Sequence, residues 1–401
     1  MKPLKPDDII LAAPVRTPIG RFGGSLAEVP APDLGGIALA ESLKRAGVAP
    51  ADVSEVIFGN ARSAGVGPNP ARQVAFKAGL PQEVPAWTVN QACGSGMRTI
   101  ISGVQAVTLG DSRIVAAGGT ESMSRVPYML DAARWGKKMG HQPLIDGMYR
   151  DGFLCPLCGL IMGNTAENLA DRYEISREEQ DEYAAESQAR AQAARNAQRF
   201  ADEIVPVPVP GKRGGETLVS RDEHPRDGIT AQGLSRLPPI FRKNGTVHAG
   251  NSSGITDGAA AVLIMSAATA RELGVRPAAR VVAYETAGVD PTVMGIGPVP
   301  AVRRLLARTG LTMADMDLVE LNEAFAVQAL ACHRELGFDR ERLNVNGGAI
   351  ALGHPIGATG TRIVVTLLHE MARRGARRGL ATLCVSGGMG LALLLEACRE
   401  E

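Results

Sequence analysis

Aromatic side chains are scarce in this chain of 401 residues, at 4%, which argues against base-stacking platforms and sugar-binding aromatic clefts. Neither sign of charge prevails. Forty-three Lys and Arg face 42 Asp and Glu, a net charge of +1, so no global field would draw nucleic acid or an anionic membrane. Any anionic ligand must be held locally. Long apolar runs are missing too: the longest, such as 259–265 and 391–395, fall far short of a spanning helix. The opening M-K-P-L-K-P-D-D has no apolar stretch and carries acids early, unlike a signal or transit peptide. Six cysteines in so long a chain make no disulfide framework. With 45% hydrophobic and 21% charged residues, the composition implies a globular, cytoplasmic chain of roughly two to three domains.

What is abundant is glycine, 47 residues, and it bunches at 94/96, 118–119, 347–348, 353/357/360 and 387/388/390. Bunched glycine points to backbone packed tightly or approached closely by a ligand. The chain also repeats itself. L-K-R-A-G-V-A-P-A-D-V-S-E-V-I-F at 43–58 matches L-A-R-T-G-L-T-M-A-D-M-D-L-V-E-L at 306–321. Both read as a helix closed by glycine, a short turn and an apolar strand. Further on, 86–96 and the apolar segment through 122 match 343–360 and the segment through 390, each as strand, glycine-rich turn, helix, strand and double glycine. A duplicated unit of this kind predicts an α/β fold of two similar halves, each with a mostly parallel buried sheet. We place the first half at 1–122 plus 248–278 and the second at 279–401. Between them, 123–247 differs in composition. It holds two amphipathic helices within 164–200, the second opened by a capping box at Ser176, and a Pro-punctuated strand at 204–210. We read it as an inserted loop domain over one mouth of the core, where ligand contacts concentrate.

Four constellations carry chemistry. In V-N-Q-A-C-G-S-G-M at 89–97, Cys93 stands at a turn from strand into helix. The helix N-terminus there is expected to stabilise a thiolate and lower its pKa, while Gly94 and Gly96 leave room for a carbonyl. A buried structural cysteine is the bland alternative. In N-G-G-A-I-A-L-G-H-P-I-G-A-T-G at 346–360, His354 occupies the duplicate's counterpart of the Cys93 turn, so pseudo-symmetry would bring the two turns face to face as a thiol–imidazole pair. No Lys-Ser/Thr follows these glycines, which rejects a P-loop. In L-C-V-S-G-G-M-G at 383–390, Cys384 ends a strand and offers a second acid/base. In E-L-N-E-A-F-A at 320–326, Asn322 is suited to positioning a water or a carbonyl oxygen.

Taken together, C-G-S-G, N-E-A-F-A, G-H-P-I-G-A-T-G and C-x-x-G-G-x-G in that order resemble the thiolase family over nearly the whole chain, from V-R-T-P-I-G at 15–20 onward. The resemblance implies acyl transfer between coenzyme A thioesters through a cysteine, with acyl-CoA and CoA as substrates and no cofactor or metal. It implies Cys93 as the acylated nucleophile, His354 as its activator and Cys384 as the base or acid at the α-carbon. Asn322 would hold a water that, with His354, stabilises the enolate oxygen. The backbone N–H groups of Cys93 and Ser386 would form the other oxyanion hole. For the substrate's remaining length it implies Ser253, Ala249 and Arg226 at the pantetheine and nucleotide, with Met162 and Phe325 near the acyl group. Relatives are homodimers or homotetramers, and 123–148 is the stretch suited to the extra contact. An acetyl-CoA C-acetyltransferase is the first expectation. The alternatives are a degradative 3-ketoacyl-CoA thiolase for longer chains and a non-catalytic lipid carrier of the same fold.

Other motifs carry less. C-P-L-C at 155–158 has no second Cys/His pair at zinc spacing, so it is read as loop lining, with reversible disulfide formation as the minority reading. H-E-M-A-R at 369–373 ends in arginine and is no zincin motif. His141, His224, His248 and His333 are read as surface or structural. The stretch 250–254 fits G-x-S-x-G, but the run at 259–265 reads as a buried strand where a hydrolase elbow needs a helix.

Overall fold

A computed structural model describes residues 3–211 and 215–398; the first two positions of the N-terminal segment lie outside them. The main sheet contains the strands β1 (Ile9–Arg16), β2 (Glu55–Gly59), β3 (Ala86–Val89), β4 (Ile114–Ser122), β5 (Thr256–Ser266), β6 (Pro277–Gly288), β7 (Leu318–Leu321), β8 (Arg378–Val385) and β9 (Met389–Glu396). Their order is β7-β8-β9-β6-β1-β5-β4-β2-β3. The duplication is visible in this order. In the first half β1 lies beside β5, β5 beside β4 and β4 beside β2. In the second, β6 lies beside β9, β9 beside β8 and β8 beside β7. The halves join where β1 meets β6 antiparallel, Ile10 opposite Arg280 and Leu11 opposite Ala279.

The matching helices close alike. α1 (Ala31–Ala46) ends at Gly47 with φ 66°, and α5 (Pro298–Thr309) ends at Gly310 with φ 68°. Both left-handed glycines accept the C-terminal turn without a Cβ penalty. A 3₁₀ turn follows each, Pro50–Asp52 and Met313–Asp315, before the next strand.

Two expectations about the strands need correction. The pairings β2–β3, β2–β4 and β7–β8 are parallel, but β1–β5, β5–β4, β1–β6, β6–β9 and β8–β9 are antiparallel. The sheet is therefore mixed rather than mostly parallel. The cause lies in β5 and β9, which return beside the preceding strand: β9 does so by the tight turn after Val385, and β5 after the whole inserted segment. Second, the strand expected at 343–345 is reduced to a single parallel bridge between Val319 and Leu343, because a glycine turn and a short helix (Ala349–Leu352) take up the chain at once.

Both faces of the sheet are buried, so its strands are apolar on both sides. Val56 and Phe58 pack outward against α1, whereas Ile57 packs inward. The inner core joins strands of both halves around α2 (Ser95–Leu109) and α7 (Ile356–Arg374), through Ile100, Ile101, Ile363 and Leu367. These helices cross closely: a Cβ on Gly96 would stand 2.7 Å from the Thr361 nitrogen, and one on Gly360 would overlap the backbone nitrogen of Met97. Thr361 Oγ1 donates to the Gly96 carbonyl at 3.0 Å across the crossing. From the inserted segment come α3 (Met162–Tyr173) and α4 (Arg177–Asn196), the latter opened by the Ser176–Glu179 capping box. α3 packs on the outer core of the second half.

Helix propensity alone would favour alanine at position 360 by about 1 kcal/mol. The crossing reverses the sign. Gly360→Ala is expected to destabilise the protein by at least about 1–3 kcal/mol through overpacking against immovable backbone, read as a lower urea midpoint at unchanged slope. A stabilised variant would contradict the crossing.

Candidate active site

Cys93 and His354 occupy equivalent places. Each stands two residues before the first helical residue of its half's central helix, α2 or α7. The Cys93 turn is made by its neighbours. Ala92 adopts a left-handed φ of 46°, a strained conformation that persists where surroundings over-determine it. Ser95 does so: its Oγ accepts from the Gln91 N–H at 2.9 Å and donates to the Ala92 carbonyl at 2.7 Å. The serine of C-G-S-G thus fixes the turn.

Cys93 is half-buried, and its Sγ receives hydrogen bonds from its own backbone and from that of Ser386. Burial raises the thiol's pKa. The two backbone groups and the Arg62 cation lower it without cancelling burial, and Glu121 opposes them. The net shift is upward. The depression expected from the helix terminus is therefore corrected: desolvation outweighs it here.

His354 is buried, and its Nδ1 lies 2.6 Å from Thr359 Oγ1. That hydroxyl donates to the Pro355 carbonyl at 2.9 Å, so it must accept from Nδ1–H. The tautomer is thereby fixed with the lone pair on Nε2, and Nε2 has no hydrogen-bond partner among the described residues. Burial, with Arg362 and Arg62 nearby, pulls the imidazole's pKa down to about 3. The ring is neutral at physiological pH, a free base in a dry place.

Cys384 ends β8 and is buried. Burial pushes its thiol well above the ordinary range, and the neighbouring Cys93 and Cys332 raise it further. The turn after it is made by Gly387 and Gly388, with φ of 88° and 84°, which returns the chain into β9 and holds the Ser386 backbone against Cys93. Asn322 follows β7 directly, and its N–H donates to the Thr382 carbonyl at 3.0 Å. It is fully buried, and neither side-chain amide atom has a hydrogen-bond partner among the described residues. Asn322 and Cys384 thus stand at the C-terminal ends of the parallel pair β7–β8, and the Cys93 turn after β3 meets this pair through the Ser386 backbone.

The longer contacts are less concentrated. Ser253 lies in the loop before β5, its N–H donating to Ala324 and the next carbonyl, of Gly254, accepting from the His354 N–H at 3.0 Å. This loop therefore ties Ser253 to the His354 turn, and it runs into a strand, as expected against a hydrolase elbow. Ala249 and Arg226 are exposed. Met162 opens α3 and is buried in the cluster that also contains Cys384 and Phe325, whose ring meets Phe241 edge-on. His248 is fully buried, 2.7 Å from Asp181, and His224 faces the Ala351 carbonyl at 2.8 Å. Among the described residues no group of three or more His, Cys, Asp and Glu is placed to hold a metal.

Three residues that sequence reasoning passed over hold this site together. Glu121, at the end of β4, accepts from Asn60 Nδ2 and the backbone N–H groups of Ala61, Arg62 and Gly357 at 2.8–3.1 Å. Glu323 accepts from Tyr183, Ser187, Asn344 and the Ile350 N–H. Arg62 is 6% exposed and in no ion pair among the described residues, with Nη1 on the Ala61 carbonyl. The acids stand beside legible motifs, whereas nothing in the sequence around Arg62 marks it.

The family models for the thiolase N-terminal and C-terminal domains match residues 9–268 and 275–397. The chain belongs to the thiolase family. It is 53% identical over 389 residues to the acetyl-CoA acetyltransferase of Cupriavidus necator, covering 97% of this chain and 99% of that protein. To the Shinella zoogloeoides acetyl-CoA acetyltransferase it is 52% identical, covering 97% and 98%. Among solved structures, the Bacillus anthracis acetyl-CoA acetyltransferase superposes with a TM-score of 0.95 at 47% identity, covering 98% and 99%. Human mitochondrial 3-ketoacyl-CoA thiolase in complex with CoA gives 0.94 at 44%, covering 98% of each chain.

If Arg62 supplies the positive field at Cys93, Arg62→Leu should move the midpoint of iodoacetamide alkylation of Cys93 to higher pH. No inflection near 6.5 should accompany it in either protein, since His354 is already neutral there. An unmoved midpoint would remove Arg62 from the site.

Proposed function

We propose that this enzyme is an acetyl-CoA C-acetyltransferase, joining two acetyl-CoA into acetoacetyl-CoA or cleaving the product with CoA through an acetyl-Cys93 intermediate. The observation that carries the reading is the Cys93 sulfur, which faces Cys384 and receives the Ser386 and Cys93 backbone hydrogen bonds. The relatives named acetyl-CoA acetyltransferase over nearly their full length support the acetyl specificity.

In the first half-reaction the Cys93 proton passes to His354 Nε2 as the sulfur attacks the thioester carbonyl. Negative charge collects on the carbonyl oxygen between the Cys93 and Ser386 N–H groups; removing one such donor typically costs about 10²–10³-fold in rate. The tetrahedral adduct collapses, CoA leaves as its thiolate and takes the proton from His354. Neutral His354 suits this role, because a protonated ring could not accept. In the second half-reaction Cys384, as thiolate, removes an α-proton from the next acetyl-CoA. The resulting enolate oxygen is stabilised by a water oriented by the Asn322 amide and by the His354 ring, whose Nε2 holds the proton that Cys384 gave up. The carbanion attacks acetyl-Cys93, and the sulfur leaves.

Ser253, Ala249 and Arg226 would contact the pantetheine and nucleotide, and Met162 with Phe325 the acyl group. No described helix is long and apolar enough to cross a membrane, which agrees with a cytoplasmic enzyme. Tyr128, Trp135, Met139 and Leu144 are exposed along 123–148, as suits an arm that packs on another subunit of a homodimer or homotetramer.

Two variants test the division of labour. Cys93→Ser should form no acetyl adduct by intact-protein mass after incubation with acetyl-CoA. Cys384→Ala should still acetylate at Cys93, yet lose exchange of acetyl-CoA α-hydrogens in deuterated buffer by about 10²–10⁴-fold. Normal exchange in the second variant would assign the carbon chemistry to another base.

A further inference from the structure

The C-P-L-C segment is not spent by the reaction, yet it lies against it. It sits in a closed loop between 154 and 161. Leu154 bridges Ile161, the Cys155 N–H donates to the Leu160 carbonyl at 2.8 Å, and the Gly159 N–H donates to the Cys155 carbonyl at 2.8 Å, with Gly159 at φ 70°. The two cysteines therefore stand at opposite ends of one tight turn. Cys155 is 2% exposed and Cys158 partly exposed. Both pack on the core cluster that contains Cys384. All six cysteines are free thiols.

The contacts are those of a reactive pair rather than of space-filling sulfur. The thiols hydrogen-bond each other, Cys158 as donor, and Cys155 also receives the backbone of Leu157, Cys158 and Gly387. Gly387 belongs to the turn that holds Ser386 against Cys93. Leu157 rests on the same place, its Cδ1 3.8 Å from where a Gly387 Cβ would lie. A buried structural thiol needs no set of N–H groups around it.

We propose that Cys155 and Cys158 form a redox-active dithiol that closes to a disulfide by exchange with a low-molecular-weight disulfide, and that closure acts on the Ser386–Gly388 turn. The pair first loses a proton. Cys158, the thiol that reaches solvent, hands its proton to the Cys155 thiolate and attacks one sulfur of the disulfide RSSR; a mixed disulfide forms and one RS⁻ leaves. Cys155 then loses its proton and displaces the second RS⁻ from Cys158. Two thiols and RSSR become one protein disulfide and two RSH, so the protein is oxidised and RSSR reduced. Closure withdraws the Cys155 thiol from Gly387 and drags Leu157 with it, which loosens the Ser386 donor.

The protein can report this without ambiguity. Cleavage after Arg150 and Arg172 releases residues 151–172, which contain Cys155 and Cys158 and no other cysteine. After equilibration in glutathione buffers of graded GSH/GSSG ratio and alkylation with iodoacetamide, that peptide should pass from two blocked thiols to none, with the mass of two hydrogens lost. Acetoacetyl-CoA thiolysis should fall over the same range, at least about threefold and short of the 10²–10³-fold for an oxyanion donor removed outright, and recover with excess dithiothreitol. Cys158→Ser and Cys158→Ala should keep the basal rate and lose this part of the response. Two outcomes would overturn the proposal: a peptide that keeps both thiols while Cys93 or Cys384 oxidises, or a peptide that oxidises while wild type and the Cys158 variants respond alike.

Discussion

The carboxylate of Glu121 is the fixed point on which the rest of this site depends. It comes from the end of β4 in the first half, yet its fourth donor, the Gly357 N–H at 2.8 Å, belongs to the helix that follows His354 in the second. The other three come from residues 60–62, beside the Cys93 turn. Two oxygens accepting four donors leave no acceptor for a carboxyl proton, so the group acts as a carboxylate although burial raises its pKa. A buried charge held this way costs several kcal/mol to leave half-satisfied. That cost ties the two halves of the duplication in one relative position, and with it the thiol and the imidazole.

Everything chemical about the site then follows from dryness. Burial raises the thiols of Cys93 and Cys384 and lowers His354, so the resting site is neutral: two thiols and an imidazole whose Nε2 has no partner among the described residues. Charge appears only as the reaction makes it, against fixed N–H dipoles and the Arg62 cation. Preorganised dipoles in low dielectric are worth more than the same groups in water. Arg62 thus offsets part of what burial costs the Cys93 thiolate without occupying the substrate's place.

Much of this was legible in the chain before any fold was known. The repeat at 43–58 and 306–321 is local, and its two glycine closures appear as nearly identical left-handed caps. Cys93, His354 and Cys384 stand in glycine-rich turns whose composition has no cheaper explanation, Asn322 is marked by the amide between two acids of E-L-N-E-A-F-A, and the structure brings Cys93 beside Cys384. What stayed hidden depends on tertiary pairing. Alternation and apolarity mark β5 and β9 as buried strands but say nothing of their direction, because a strand buried on both faces looks the same either way. The helix terminus at Cys93 is local and was read correctly; the desolvation that overrides it is a property of the assembled core. Arg62 follows an unremarkable strand, and only the fold carries its charge to Cys93 and His354.

The most direct measurement is the thiolysis rate and stability of Glu121→Gln. Glutamine keeps the volume and one acceptor oxygen, but its NH₂ would face two N–H donors. The account predicts a folded protein, destabilised by roughly 1–3 kcal/mol for each donor left unpaired. It also predicts a fall of kcat/KM for acetoacetyl-CoA on the order of 10²-fold, the cost of a misplacement near 1 Å between reacting groups. A variant with wild-type stability and rate would contradict it, since the halves would then be positioned without this carboxylate.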